Sequence, residues 1–211
     1  MKNKFHLTRE QNIFIARRNI VDYIWKCANL EGIKITYPQT QVLYNGGVIN
    51  GLTASEIVAI NNLKRAWQFI LDNELQYEFS VLSKIHEIVM NGLVSNVGVI
   101  RTVPVNIGGT NWKPGFPIES QIKEELEEII NSEEKSKTEI SLDVMLYIMK
   151  KQMFLDGNKR VAMLFANLIM INAGAGIISI KNSLQSEFYE KLIAYYENND
   201  STNKPVLTKI N

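Results

Sequence analysis

Gln152-Met153-Phe154-Leu155-Asp156-Gly157-Asn158-Lys159-Arg160 lies where one apolar helical pattern stops and another starts. Upstream, Leu142, Met145, Leu146 and Met149 recur at helical spacing; downstream, Val161, Leu164, Phe165, Leu168 and Ile169 do the same. The break at Asp156-Gly157 therefore reads as a tight polar turn between two helices. The second helix opens with unpaired backbone N–H groups and a partial positive charge, a combination that attracts anions. Gly157 lets the backbone approach a ligand closely and accepts φ > 0. Lys159 and Arg160 bring two cations to the same end, and Arg can grip a phosphate in bidentate fashion. Asp156 is a hard oxygen ligand beside that phosphate position, which is how Mg²⁺ is usually held. A nucleotide phosphate chain fits all of these features.

Composition narrows the alternatives. The 211 residues are 45% hydrophobic and 21% charged with net charge +1, enough apolar material for one globular unit with a small extension. Near-neutral charge gives no footprint for nucleic acid or an anionic membrane. Met1-Lys2-Asn3-Lys4 is followed by the polar Thr8-Arg9-Glu10-Gln11 rather than an apolar signal-peptide region. No apolar run approaches the length of a membrane span, and the single Cys27 allows no internal disulfide. The expectation is a cytoplasmic protein. No Gly-x-x-x-x-Gly-Lys or Gly-x-Gly-x-x-Gly stretch occurs, which argues against a Walker NTPase, a protein kinase or a Rossmann domain.

Along the chain, Thr8-Arg9-Glu10-Gln11 predicts a capping box and a helix running to about Ala28, ended by Gly32. Cys27 on that helix reads as a buried, inert thiol. Pro38 to Gly47 reads as a helical turn or two and a Gly-rich loop. Thr53-Ala54-Ser55-Glu56 is a second capping box, opening a helix with Ile57, Ile60, Leu63, Trp67 and Ile70 on one face. A helix over about Phe79 to Met90 carries His86, read as a packed structural histidine; neither His6 nor His86 has a metal-type neighbour. Arg101, Val103, Val105 and Ile107 lie at period two before Gly108-Gly109, which predicts a short β-hairpin. Helices are expected over about Ile118–Ile130, from about Ser141 into the turn, and over about Ser183–Tyr196, with a short strand at Ile177–Ile180.

The run from Phe154 to Arg160 resembles the signature of the Fic (Fic/Doc, or Fido) family, His-x-Phe-x-Asp/Glu-Gly-Asn-Gly/Lys-Arg. Phe154, Asp156, Gly157, Asn158, Lys159 and Arg160 fall on the pattern, while Gln152 stands at the catalytic His position. The stretch Gly98 to Gly108, continued by Trp112, Pro114 and Pro117, is similar to the family's target-docking flap. The resemblance implies a mainly α-helical bundle with a short hairpin flap next to the anion-binding loop. It implies ATP and Mg²⁺ as cofactors, with Asp156 holding the metal. Gly157, Asn158, Lys159 and Arg160 would bind the phosphates, and Gln152 and Asn158 would stand at the catalytic positions. Arg101, Val103, Val105 and Ile107 would dock a protein target that presents a Tyr, Ser or Thr hydroxyl. A homodimer stays open. Residues 1–75 would be an N-terminal helical extension, 76–198 the core and 199–211 a polar C-terminal tail.

Many members also carry an inhibitory helix, Ser/Thr-x-x-x-Glu-Gly/Asn, whose Glu pairs with an active-site Arg. Thr40 and Asn45 match its ends, with Tyr44 at the Glu position, so residues 38–46 read as a vestigial inhibitory helix that lacks its charge. Family members mostly move AMP from ATP onto the target hydroxyl. Glutamine does not titrate, so it can orient that hydroxyl but cannot take its proton. Loss of a general base typically costs about 10²–10⁴-fold in rate. Met163 stands where AMP-transferring members often have a second Arg, and Lys159 is nearer the Doc-type subgroup, which transfers a phosphoryl group. The readings that follow are a weakened AMP transferase, Doc-like phosphoryl transfer, a nucleotide- or partner-binding pseudoenzyme, or a substitution made by design at position 152.

Overall fold

The computed structural model describes residues 1–198, and every regular element there is helical. The helices are α1 (Arg9–Arg18), α2 (Ile20–Leu30), α3 (Tyr37–Tyr44), α4 (Ala54–Asp72), α5 (Phe79–Met90), α6 (Glu119–Ile130), α7 (Lys137–Lys151), α8 (Asn158–Asn172) and α9 (Gln185–Asn198). A 3₁₀ turn at Asn182–Leu184 leads into α9. The polar tail expected over 199–211 lies outside the described residues.

α8 is the central rod. It is buried from Arg160 through Ile171 on every face, so neighbours must cover it all round. α7 packs along it most extensively, and α5, α4 and α1 complete the jacket. α7 is nearly as enclosed, with the run Ile140–Leu146 buried on consecutive positions and α6 laid over its outer side. The other helices are amphipathic and bury one stripe each. α4 turns Ile60, Leu63, Trp67 and Ile70 inward, as its spacing predicts.

Local chemistry sets the helix ends. Thr8 and Thr53 each form the expected capping box. Thr36 forms a third with Gln39, and Pro38 in the first turn of α3 supports it. The predicted first helix is interrupted. Asn19 donates its side-chain Nδ2–H to the Ile15 carbonyl at 2.9 Å, competing with the helical ladder, and the chain restarts as α2.

Two predicted β elements are not formed, and among the described residues there is no strand. Residues 99–118 run as an extended, irregular loop rather than a hairpin flap. Pro104 lacks a ladder donor, and the loop is tied down by one buried side chain, Arg101, instead of cross-strand pairs. The Ile177–Ile180 segment is extended and buried but has no partner strand. Asn167 takes that role: its Oδ1 accepts from Ile178 N at 2.7 Å and its Nδ2 donates to Ile178 O at 2.9 Å. Asn12 does the same for Gly176. A side-chain amide thus satisfies buried backbone groups that a strand would otherwise pair. No helix among the described residues is long and apolar enough to cross a membrane.

Candidate functional site

α7 ends at Lys151, and Gln152 caps it in the left-handed region (φ 47°), alone among the described non-glycine residues in having positive φ. A non-glycine residue in that conformation needs its surroundings to hold it. Its carbonyl accepts from Arg101 Nε at 2.6 Å, its amide Nε2–H donates to Met149 O at 2.6 Å, and its Oε1 accepts from Asn158 Nδ2 at 3.1 Å. Tyr196 lines the same cleft as this side chain, and burial pushes its phenol well above its ordinary range.

Asn158 staples the turn shut. Its Oδ1 accepts from Phe154 N at 3.0 Å and its Nδ2 donates to Phe154 O at 2.9 Å as well as to Gln152. The amide is therefore a structural brace rather than a free donor. Gly157 sits at φ 77° where a Cβ would meet Met90 Sδ at 2.5 Å, so glycine is needed there twice over. Phe154 anchors the turn in the core, stacked on His86 at 3.9 Å between ring centres.

His86 is fully buried. Its Nδ1 accepts from Gly98 N at 2.7 Å, so the proton lies on Nε2, which donates to Asp156 O at 3.0 Å. Burial lowers its pKa to about 4. It is a neutral strut for the turn, as expected of a structural histidine, and both ring nitrogens are in use. Desolvation similarly pushes the Cys27 thiol up to about 12, the behaviour of an inert thiol.

The charged residues meet at the start of α8. Arg160 is 7% exposed. Its Nη2 donates to Asp156 Oδ2 at 3.1 Å, and its Nε faces Glu31 Oε2 at 3.4 Å. Lys159 Nζ lies 3.7 Å from Glu31 Oε1 and over the Tyr189 ring. Asp156 is exposed, and its Oδ1 accepts from Gly157 N at 2.6 Å. Buried within this cluster, Glu31 Oε1 and Arg160 Nε have no hydrogen-bond partner. The arrangement holds an oxyanion loosely between two cations.

Glu31, Asp156 and Lys159 line one cleft of about 320 Å³, within the usual range of small-molecule sites, with Arg160 buried next to them. Gln152 and Asp156 through Lys159 form its polar wall, while Val105, Ile107, Leu192 and Ile193 supply apolar surface. Of the predicted docking residues, Val105 and Ile107 face this cleft and Val103 is exposed. Arg101 is turned inward, 5% exposed, with its guanidinium committed to backbone carbonyls. Tyr44 lies elsewhere, its carbonyl accepting from Lys64 Nζ and its ring beneath the same ammonium.

Besides Asp156 of the same turn, a carboxylate distant in sequence reaches Arg160: Glu31, which sequence reasoning missed. The signal was present: Cys27-x-x-x-Glu31-Gly32 fits the inhibitory spacing with Cys at the hydroxyl position, and it ends α2 rather than α3. Tyr189 pins that end by donating its hydroxyl to Leu30 O. Among the described residues no cluster of His, Cys, Asp or Glu forms a metal cage. The exposed Asp156 carboxylate is the kind of donor that suits Mg²⁺, which keeps several waters and needs only one or two protein ligands.

Residues 76–170 match the Fic/DOC family model. No curated protein matches the chain. Among solved structures, Fic-1 from C. elegans aligns over 92% of this chain and 62% of its own, at 21% identity and TM-score 0.78. A Fic family protein from Desulfovibrio desulfuricans aligns over 94% and 64%, at 19% identity and TM-score 0.75. A Fic domain containing signaling protein from Bacteroides thetaiotaomicron aligns over 83% and 71%, at 16% identity and TM-score 0.71. The chain thus spans under two thirds of the length of the first two, and the likeness extends to its N-terminal helices. Residues 76–170 make up a Fic/DOC family domain.

Proposed function

We propose that this chain binds ATP with Mg²⁺ at the N-terminus of α8 and acts on a hydroxyl of a protein target, moving AMP slowly for want of a titrating base. The observation that carries this reading is the Glu31 carboxylate held by Lys159 and Arg160. A site that draws in the chain's own oxyanion, and still leaves Arg160 Nε without a hydrogen bond, suits a better one. A phosphate oxygen would satisfy Arg160 more fully than the side contact with Glu31 does. The remaining phosphates would lie against the Gly157–Lys159 backbone, and the apolar lining from Val105, Ile107, Leu192 and Ile193 suits a base and ribose.

Asp156 would hold Mg²⁺, whose charge offsets that of the phosphates. For that, Asp156 would keep one lone pair of Oδ2 free of Arg160. Gln152 would orient the incoming hydroxyl through Oε1, which can accept from Asn158 and from a second donor. Glu31, by occupying the cationic end, would compete with the nucleotide's terminal phosphate. The cytoplasmic setting and the hydroxyl-bearing protein partner belong to this same proposal.

A second reading is a nucleotide-binding module without turnover. It is favoured by the Gln152 amide, whose two ends are both engaged within the turn. Incubation with α-labelled ATP and Mg²⁺, with Gln152→His alongside, separates the two. Label on protein from the unaltered chain supports transfer of AMP. Label only from Gln152→His supports binding as the native use. No label and no nucleotide binding in either would overturn both.

A further inference from the structure

Arg101 is a buried cation satisfied by neutral groups. Its Nε donates to Gln152 O at 2.6 Å, its Nη1 to Val103 O at 2.8 Å and its Nη2 to Gly115 O at 2.6 Å. Its backbone N–H donates to Met153 O at 3.0 Å. Desolvation lowers its pKa, and no carboxylate among the described residues offsets that. Burying such a charge is costly unless its hydrogen bonds are well made.

The carbonyls belong to two different walls of the cleft. Gln152 and Met153 open the turn that carries Asp156 to Arg160. Val103 and Gly115 are the two ends of the loop whose middle, Val105 to Gly108, lines the opposite side. That loop has no β ladder of its own. It is also anchored on α9, by Trp112 stacked on Tyr196 at 5.3 Å and by Thr110 donating its hydroxyl to Glu197.

We infer that Arg101 is a positioning residue that couples the two walls, so that an anion gripped by the turn also fixes the 103–115 loop for the target segment. Resting on the nucleotide reading above, this assigns Arg101 an inward clamping role in place of contact with the target. The planar fork is what serves: three donors diverge in one plane toward three fixed carbonyls, a geometry that a lysine ammonium on its flexible stem cannot reproduce.

The test is ¹⁹F NMR of the chain labelled with 5-fluorotryptophan, comparing the unaltered chain with Arg101→Lys. Trp112 reports on the loop, while Trp25 in α2 and Trp67 in α4 report on the helical frame. Without nucleotide, Arg101→Lys is expected to move or broaden the Trp112 signal and leave Trp25 and Trp67 in place. With Mg²⁺ and ATP, the Trp112 signal should respond in the unaltered chain and fail to respond in the variant, whose affinity for ATP falls by about tenfold. An unchanged Trp112 signal in the nucleotide-free variant overturns the coupling. A chain that ignores ATP overturns the nucleotide reading, and the nucleotide-free comparison still decides the clamp.

Should all three tryptophan signals collapse in the variant, the unaltered chain decides by itself. Arg101 Nε–H and Nη–H protons held on three carbonyls should exchange slowly with water and stay distinct. A guanidinium whose Nη–H signals average and exchange freely overturns the clamp.

Discussion

His86 Nε2–H donates to the Asp156 carbonyl at 3.0 Å, so the metal-binding candidate is held from behind by a histidine that must stay neutral. Gly98 N–H fills the other ring nitrogen, and protonating it would set two donors face to face.

The pH dependence follows. His86 has an ordinary pKa of 6.5 and a folded value of about 4. Between these values the unfolded chain binds the extra proton, so stability is full above pH 6.5 and falls as pH drops toward 4. From pH 7.5 to pH 5 the loss should be about 2 kcal/mol. Urea unfolding at the two values measures it, and His86→Asn should remove most of the slope above pH 5.

Gly157→Ala should destabilise the chain by about 1–3 kcal/mol, the usual cost of forcing a side chain into such a backbone conformation. The Cβ would also press on Met90 Sδ. In a Met90→Ala background, which bears its own cavity cost, Gly157→Ala should show the backbone cost alone, and thermal unfolding of both single variants and the double variant would separate the two.

Asn158→Ala leaves Phe154 N–H and C=O unpaired in a buried turn. Losses of about 2–3 kcal/mol are expected from two orphaned backbone groups. Asn158→Asp should cost more at neutral pH, because it places a carboxylate oxygen against Phe154 O and Gln152 Oε1. Denaturant unfolding checks the order, and a smaller loss for Asp than for Ala would refute the brace.

Much of this site was legible because its determinants are local. The apolar pattern on either side of Asp156-Gly157 does give α7 and α8, and the capping boxes at Thr8 and Thr53 start helices where they should. What escaped depends on distant partners. Period two at Arg101 to Ile107 predicts a strand only if another strand pairs with it, and here a buried guanidinium takes up the loop instead. Ile177 to Ile180 is extended but is satisfied by Asn167, a choice no local pattern announces. Glu31 was overlooked because Thr40 to Asn45 offered a rival match to the same spacing. Only the folded chain, which brings Glu31 at the end of α2 to Lys159 and Arg160, shows which match meets Arg160.

The most direct test is calorimetric titration of Mg²⁺ and ATP into the unaltered chain and into Glu31→Gln. If Glu31 occupies the place of a phosphate, removing its charge should tighten binding by about tenfold, equivalent to about 1.4 kcal/mol. Equal or weaker binding by Glu31→Gln would contradict the account, because the carboxylate on Lys159 and Arg160 would then be a structural pair and not a competitor for the site.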